Sequence, residues 1–148
     1  MNIEAFAKKQ GEEFFISAWQ DISQDRINTF ADATLDHQWI HVDPEKCATD
    51  SPWGTPIAHG FLTLSLLPFF LNQFSDELEL KRKINYGLNR VRFTEAVRVG
   101  DKVRGRFKLL EAKNLKGPTW KVTIEVTIEI EGREKPACIA ENIVLMVV

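Results

Sequence analysis

Cysteine is scarce in this chain of 148 residues, which has only Cys47 and Cys138. The two lie far apart in sequence and form no CxxC pair, so they fit neither a zinc ribbon nor a disulfide-stapled secreted domain. We therefore expect both to be reduced, structural thiols.

An excess of charge of one sign is also absent. Lys and Arg together number 19 and Asp and Glu number 21, which gives a net charge of −2. Such a chain has no basic field that would attract nucleic acid or an anionic membrane surface. We expect neither kind of partner.

Long hydrophobic runs are missing as well. The strongest, residues 61–71, contains Thr63, Ser65 and Pro68 and falls short of the roughly 20 residues that span a bilayer. Residues 1–15 do not show a basic start followed by a long apolar core, which is the pattern of a secretory signal. A cytoplasmic location is therefore the expectation.

The composition that is present, with 44% hydrophobic residues, fits one globular domain over residues 1–148. Apolar and polar residues alternate along 103–109 and 120–130, which predicts two half-buried strands joined as an antiparallel pair through the stretch around Gly117. The apolar tail predicts a central strand. About five strands are predicted in all, at 14–20, 91–97, 103–109, 120–130 and 137–148.

Helical spacing predicts three helices. The first covers about 23–33, and the second begins at Asp43-Pro44-Glu45, where Asp is a good N-cap and Pro suits the first helical position. The third covers 60–74 and is apolar on nearly every face, so it must be covered by something else. The sheet is the only candidate for that cover.

The segment 30–68 carries the residues with chemical potential. Asp36 stands five positions before His41, and Ile57-Ala58-His59-Gly60 leads directly into the predicted third helix. A spacing of five places two side chains on different sides of a helix and on opposite faces of a strand. Asp36 and His41 can therefore converge only on irregular backbone, which we expect between the first two helices.

This layout resembles the hydratase-2 or MaoC-like family of (R)-specific enoyl-CoA hydratases. The family signature is an Asp, four residues, a His, and later a His-Gly before a buried helix; the resemblance is strongest over residues 27–71, and His-Gln-Trp-Ile-His looks like the branch related to nodulation protein N. The resemblance implies an α+β protein with a single hot-dog fold, in which an antiparallel sheet wraps around a central apolar helix. It also implies a homodimer joined edge to edge.

The resemblance further implies the chemistry: hydration of trans-2-enoyl-CoA thioesters to (R)-3-hydroxyacyl-CoA, or the reverse dehydration. Asp36 and His41 would hold one water molecule, with His41 as the base and Asp36 as its partner, although the sequence leaves the opposite allocation open. Gly60 would offer its backbone N–H to the thioester oxygen, and Gln38 and His59 would support the site. No metal or cofactor is implied; coenzyme A enters only as part of the substrate.

The motif departs from the family pattern in an informative way. Where the common signature reads Gly-Asp-x-Asn-Pro-x-His, this chain reads Leu35-Asp36-His37-Gln38-Trp39-Ile40-His41. If the family's glycine has a positive φ, Leu35 carries backbone strain. Gln38 offers the same amide as Asn on a longer arm.

Three other functions stay open. An acyl-CoA thioesterase places a carboxylate on or beside the core helix, but residues 60–74 contain no Asp or Glu, so Asp36 would have to serve from its loop. A non-catalytic protein could bind acyl thioesters without turning them over. A subunit of a larger dehydratase, acting on acyl carrier protein, would use the same groups as a free hydratase.

Overall fold

The computed structural model describes residues 1–148, apart from the side chain of Ser75. Six strands form one antiparallel sheet in the spatial order β1-β4-β5-β6-β3, with the short β2 also paired to β4. Their bounds are β1 (Glu13–Ile16), β2 (Gln20–Asp21), β3 (Arg82–Arg92), β4 (Lys102–Lys116), β5 (Thr119–Ile130) and β6 (Cys138–Val147). β3 is therefore one edge of the sheet, and β1 with β2 forms the other.

The central strands follow the predicted alternation. Along β5, the side chains of Val122, Ile124, Val126 and Ile128 are fully buried, and Val126 lies opposite Phe107 of β4. The tail strand β6 lies between β5 and β3, as the prediction of a central strand requires. Burial of one face fixes the register, because a slip of one residue would turn these side chains toward solvent.

Six helices accompany the sheet. They are α1 (Ile3–Ala7), α2 (Gln24–Thr34), α3 (Trp39–Val42), α4 (Pro44–Asp50), α5 (Gly60–Ser65) and α6 (Leu67–Ser75). Ser23 caps α2 and Asp43 caps α4, each through a side-chain oxygen that accepts a backbone N–H of the first turn. The predicted start at Asp43-Pro44 is confirmed. None of the described helices is long and apolar enough to cross a membrane.

The prediction of one continuous core helix over 60–74 is wrong. The helix is divided at Leu66 into α5 and α6. Pro68 accounts for the division, because its nitrogen carries no hydrogen for the carbonyl four residues earlier and its ring crowds that carbonyl. Full coverage is also wrong, since Phe61 is 69% exposed and Phe69 is 46% exposed.

Two further predictions need correction. The strand expected at 14–20 is two short strands, β1 and β2, and the strand expected at 91–97 lies earlier, as β3. Being an edge strand exposed along most of its length, β3 shows no clean alternation from which its bounds could be derived. The short helices α1 and α3 were not predicted.

The sheet packs against α6 through aromatic side chains. Phe74 of α6 lies 4.9 Å from Phe14 and 5.6 Å from Phe15, measured between ring centroids. The segment that carries α2, α3 and α4 precedes α5 and is fastened near its end, where Ile57 forms an isolated antiparallel bridge with Arg98. This attachment fixes the backbone immediately before α5, where the candidate site is built.

Candidate active site

The left-handed backbone conformation of Leu35 positions Asp36 at the site. Helix α2 ends at Thr34, and Leu35 follows with φ 63° and ψ 23°; among the described residues it is the only non-glycine residue with a positive φ. The chain thereby leaves the helix axis, and the exposed Asp36 accepts a hydrogen bond through Oδ1 from the backbone N–H of Gln38 at 3.3 Å. The strained conformation anticipated for Leu35 is present.

His41 lies in the one-turn helix α3 and is 7% exposed. Its Nδ1 is 2.6 Å from the carbonyl oxygen of Ile57. A carbonyl can only accept, so Nδ1 must carry the hydrogen, and in the neutral ring Nε2 keeps a free lone pair. The fold thus assigns the tautomer in which His41 can act as a base through Nε2.

The pKa of His41 is lowered from its ordinary value of 6.5, mainly because burial disfavours the charged ring. Neighbouring His59 lowers it further, whereas the hydrogen bond to Ile57 and the charge of Asp36 raise it. The net direction keeps the imidazole neutral, and therefore basic, at pH 7.

His59 connects the two catalytic candidates. It is 3% exposed, its Nε2 donates to the backbone carbonyl of Asp36 at 3.0 Å, and its ring stacks on that of His41 at 3.8 Å with 24° between the planes. Phe30 lies 4.9 Å away from the same ring. Nδ1 of His59 is buried and has no hydrogen-bond partner among the described residues. This packing fixes the backbone position of Asp36 relative to the ring of His41.

The distances leave room for one water molecule. A carboxylate oxygen of Asp36 and one ring nitrogen each of His41 and His59 lie within 4.8 Å of one another. Two hydrogen bonds of about 2.8 Å can bridge such a gap through a shared water. The same three groups could be considered as metal ligands, but lone pairs lie in the ring planes, and two stacked rings do not aim them at one point.

Gln24 anchors the backbone of His41 from α2. Its Nε2 donates both to the carbonyl oxygen of His41 and to Oδ1 of Asn28, each at 2.8 Å. The carbonyl groups at the end of a helix lack intrahelical partners, and Gln24 satisfies one of those of α3. Asn28 fixes which way the amide of Gln24 points.

Gly60 begins α5, and the first N–H groups of a helix are free of intrahelical partners. A Cβ at this position would lie 2.8 Å from the ring of Phe93, which explains the glycine by a close approach within the protein. Gly60 also lines a cleft of about 400 Å³, together with Trp53, Thr63 and Phe93. Asp36 and His41 are not among the residues that line this cleft.

A family model, the MaoC like domain, matches residues 5–131. The chain belongs to the MaoC-like family. Its similarity to one relative extends over nearly the whole length: 3-hydroxyacyl-thioester dehydratase Z of Mycobacterium tuberculosis is 48% identical over 143 residues, which are 97% of this chain and 94% of the relative.

A second relative and a solved structure are also similar to this chain. Nodulation protein N of Rhizobium leguminosarum bv. viciae is 46% identical, over 92% of this chain and 85% of the relative. Among solved structures, the (R)-hydratase from A. caviae involved in PHA biosynthesis superposes with a TM-score of 0.70 at 26% identity, over 90% of this chain and 95% of that one. The predicted family, its nodulation protein N branch, the hot-dog fold and an enzyme of the hydro-lyase class are confirmed.

Within this MaoC-like site, the predicted residues differ in how they are used. The structure brings Asp36, His41 and His59 together and places Gly60 directly after His59. The side chain of Gln38 is exposed and bonds to no described residue; only its backbone contacts Asp36. The sequence interpretation missed Gln24 and the Ile57 carbonyl. The only sequence signal for Gln24 was an Asn four residues later. The Ile57 carbonyl gave no sequence signal, because every residue has a backbone carbonyl.

Proposed function

We propose that the protein catalyses the reversible addition of water to trans-2-enoyl-CoA thioesters, which yields (R)-3-hydroxyacyl-CoA. The observation that carries this proposal is the hydrogen bond from His41 Nδ1 to the Ile57 carbonyl, because it leaves Nε2 as a base beside the Asp36 carboxylate. The names of the dehydratase and hydratase relatives support the same reaction.

In the hydration direction, His41 removes a proton from the bound water as its oxygen attacks Cβ. The electrons of the double bond move toward the thioester oxygen. The proton that His41 took from water then passes through the Asp36 carboxylate to Cα, so both side chains return to their starting state and each turnover consumes one water. Dehydration runs through the same steps in reverse.

The developing negative charge on the thioester oxygen needs a donor, and we assign this role to the backbone N–H of Gly60. It stands at the start of α5, one residue after His59. A preformed N–H stabilises an oxyanion without reorganisation during the reaction. His59 supports the site by fixing Asp36, and we assign no chemical step to it.

We further propose that the single hot-dog domain works as a homodimer joined through β3. In the part of the chain that the structure describes, this edge strand pairs only with β6, and it exposes Ile84, Tyr86 and Leu88. An exposed apolar edge is a ready template for pairing with a second strand. Light scattering should give twice the chain mass, and Tyr86→Lys should shift it toward the monomer.

The decisive experiment follows loss of the conjugated enoyl absorbance and release of free thiol from a short-chain and a medium-chain trans-2-enoyl-CoA. The protein should remove the absorbance without releasing thiol. Asp36→Asn and His41→Ala should each lower kcat by about 10²- to 10⁴-fold. His37→Ala is the matched control, because His37 lies in the same loop but its ring bonds to the exposed Asp32 carboxylate.

Release of thiol by the wild type would identify a thioesterase instead. Loss of activity in His37→Ala as large as in His41→Ala would refute the assigned dyad.

A further inference from the structure

A polar residue interrupts the inward face of β6. The side chains facing the core along this strand are Ala140, Asn142, Val144 and Met146, and Asn142 is only 6% exposed. Its neighbours on adjacent strands are Ile124 of β5 and Leu88 of β3, both apolar. Among the described residues, none hydrogen-bonds to the side-chain amide of Asn142.

Two cavities meet at this amide. One, of about 390 Å³, lies between α5–α6 and β3, and the other, of about 220 Å³, lies beside it. Pro68, Asn85 and Asn142 line both. The little exposure that Asn142 retains is therefore exposure to these cavities.

An amide that faces such cavities without a protein partner costs free energy unless water or a ligand bonds to it. The amide of Asn offers both a donor and an acceptor, and it can bind a hydroxyl or a carbonyl group equally well. The walls of the larger cavity include Leu64, Leu67 and Pro68, which suit hydrocarbon, whereas its other polar side chains, Ser65, Asn85 and Tyr86, are exposed. The buried part of a matching ligand is thus mainly hydrocarbon with one oxygen function.

The cavity lies beside α5, which starts at the proposed oxyanion donor. Leu64 follows Gly60 by four residues within α5, which corresponds to roughly 6 Å along the helix, and Pro68 extends the wall of the cavity into α6. An acyl chain whose thioester is held at Gly60 can therefore reach Asn142 several carbons away.

We propose that Asn142 is a specificity-determining residue, and that the preferred substrate is a 2-enoyl thioester whose acyl chain carries a hydroxyl or carbonyl oxygen several carbons from the thioester. This inference rests on the proposed function for the location of the thioester. The pantetheine arm has amides too, but it carries several polar groups, whereas of the two amides that line this cavity only that of Asn142 is buried and that of Asn85 is exposed.

The test compares two trans-2-enoyl-CoA substrates of equal chain length, one with an all-carbon chain and one with a hydroxyl group near its end. The wild type should prefer the hydroxylated substrate in kcat/KM. Asn142→Leu should lower that preference by at least about tenfold, because a site built for a hydrogen bond discriminates strongly against a partner lacking it. Asn89→Leu is the control, since the amide of Asn89 bonds to Glu141 and lines neither cavity.

Thermal unfolding supplies a readout independent of turnover. Asn142→Leu should raise the Tm, because leucine removes an unpaired amide from apolar surroundings. If Asn142→Leu does not fold, the smaller substitution Asn142→Val takes its place in both measurements. If the wild type converts neither substrate, the proposed function fails. The inference about Asn142 is then tested by calorimetry, which compares the affinity of the wild type and of Asn142→Leu for a saturated acyl-CoA and for its hydroxylated counterpart.

Two results would overturn the inference. An equal loss of kcat/KM, or of affinity, for both chains would mean that Asn142 contacts the pantetheine arm or serves the structure. A change of oligomeric state in Asn142→Leu would mean that the amide bonds to a second copy of the chain.

Discussion

The long strands β4 and β5 differ from the segment 35–60 in the kind of groups that they bury. In the strands, buried side chains such as Phe107 and Ile124 are apolar, and the backbone groups bond to each other. In the segment, two histidines are buried, the buried Nδ1 of His59 has no hydrogen-bond partner among the described residues, and Leu35 adopts a left-handed conformation.

This difference indicates where stability arises and where it is given up. The strands can be derived from period-two alternation because hydrophobic burial determines them. In the segment, each strained or desolvated group serves to position Asp36 or His41, and the sheet must compensate for its cost. The following predictions test that division, from the largest expected effect to the smallest.

Removal of core volume from β5 should have the largest effect. Ile124→Ala should lower the free energy of unfolding by about 2–5 kcal/mol, because it deletes fully buried methyl groups and leaves a cavity. Urea unfolding measures this loss, and the activity of the fraction that stays folded should be unchanged. Ile139→Ala, on the 40% exposed side chain in the adjacent strand, should change stability far less; equal losses would contradict a core concentrated on the inner face.

Loss of the Gln24 anchor should affect catalysis more than stability. Gln24→Glu keeps the shape but removes the donor to the His41 carbonyl, so we expect a loss of about tenfold in kcat, or about 1.4 kcal/mol. KM should hardly change. Asn28→Asp keeps the oxygen that accepts from Gln24 and should stay near wild-type activity. A destabilised Gln24→Glu with unchanged kcat would show that the contact serves the fold alone.

Relief of the strain at Leu35 should stabilise the protein modestly. Leu35→Gly should raise the free energy of unfolding by about 1 kcal/mol, because a Cβ is unfavourable in the left-handed region. Little burial is lost, since Leu35 is 82% exposed. Leu35→Ala keeps a Cβ and should bring no such gain in urea unfolding. A gain as large for alanine would attribute the effect to the exposed leucine side chain and not to the backbone.

The smallest effect should be the pH dependence that His41 gives to stability. Its pKa in the folded protein lies below the ordinary 6.5, so the unfolded chain takes up the proton first as the pH falls. Stability should be complete above about pH 6.5 and decline as the pH falls through 6.5 toward the folded pKa. His41→Asn should remove this part of the decline in urea unfolding measured from pH 7.5 to 5. Identical profiles for both proteins would refute it.

The sequence predicted β4, β5 and β6 and the pairing of Asp36 with His41. It predicted less about how that pairing is achieved. Ile57 acts through a carbonyl oxygen, which every residue possesses, and Gln24 acts through a contact across 17 positions. Neither leaves a periodic pattern, because both depend on where tertiary packing brings the backbone.

The one-turn helix α3 was missed for a related reason. Four residues are too few to form a stable helix by themselves, so α3 exists through its contacts with α2 and with the backbone of Ile57. Ile57 donates its N–H to the carbonyl of Ile40 at 3.0 Å, next to the His41 contact. Irregular backbone was correctly expected between Asp36 and His41, but part of it is this single turn.

The contact between Phe93 and Gly60 joins the rim of the sheet to the start of α5. Phe93 directly follows β3, and its ring occupies the space that a side chain at position 60 would need. The two positions therefore share one volume, and neither can be enlarged alone. Across related sequences, a residue larger than glycine at position 60 should accompany a small one at position 93, so the pair should co-vary although 33 positions separate them.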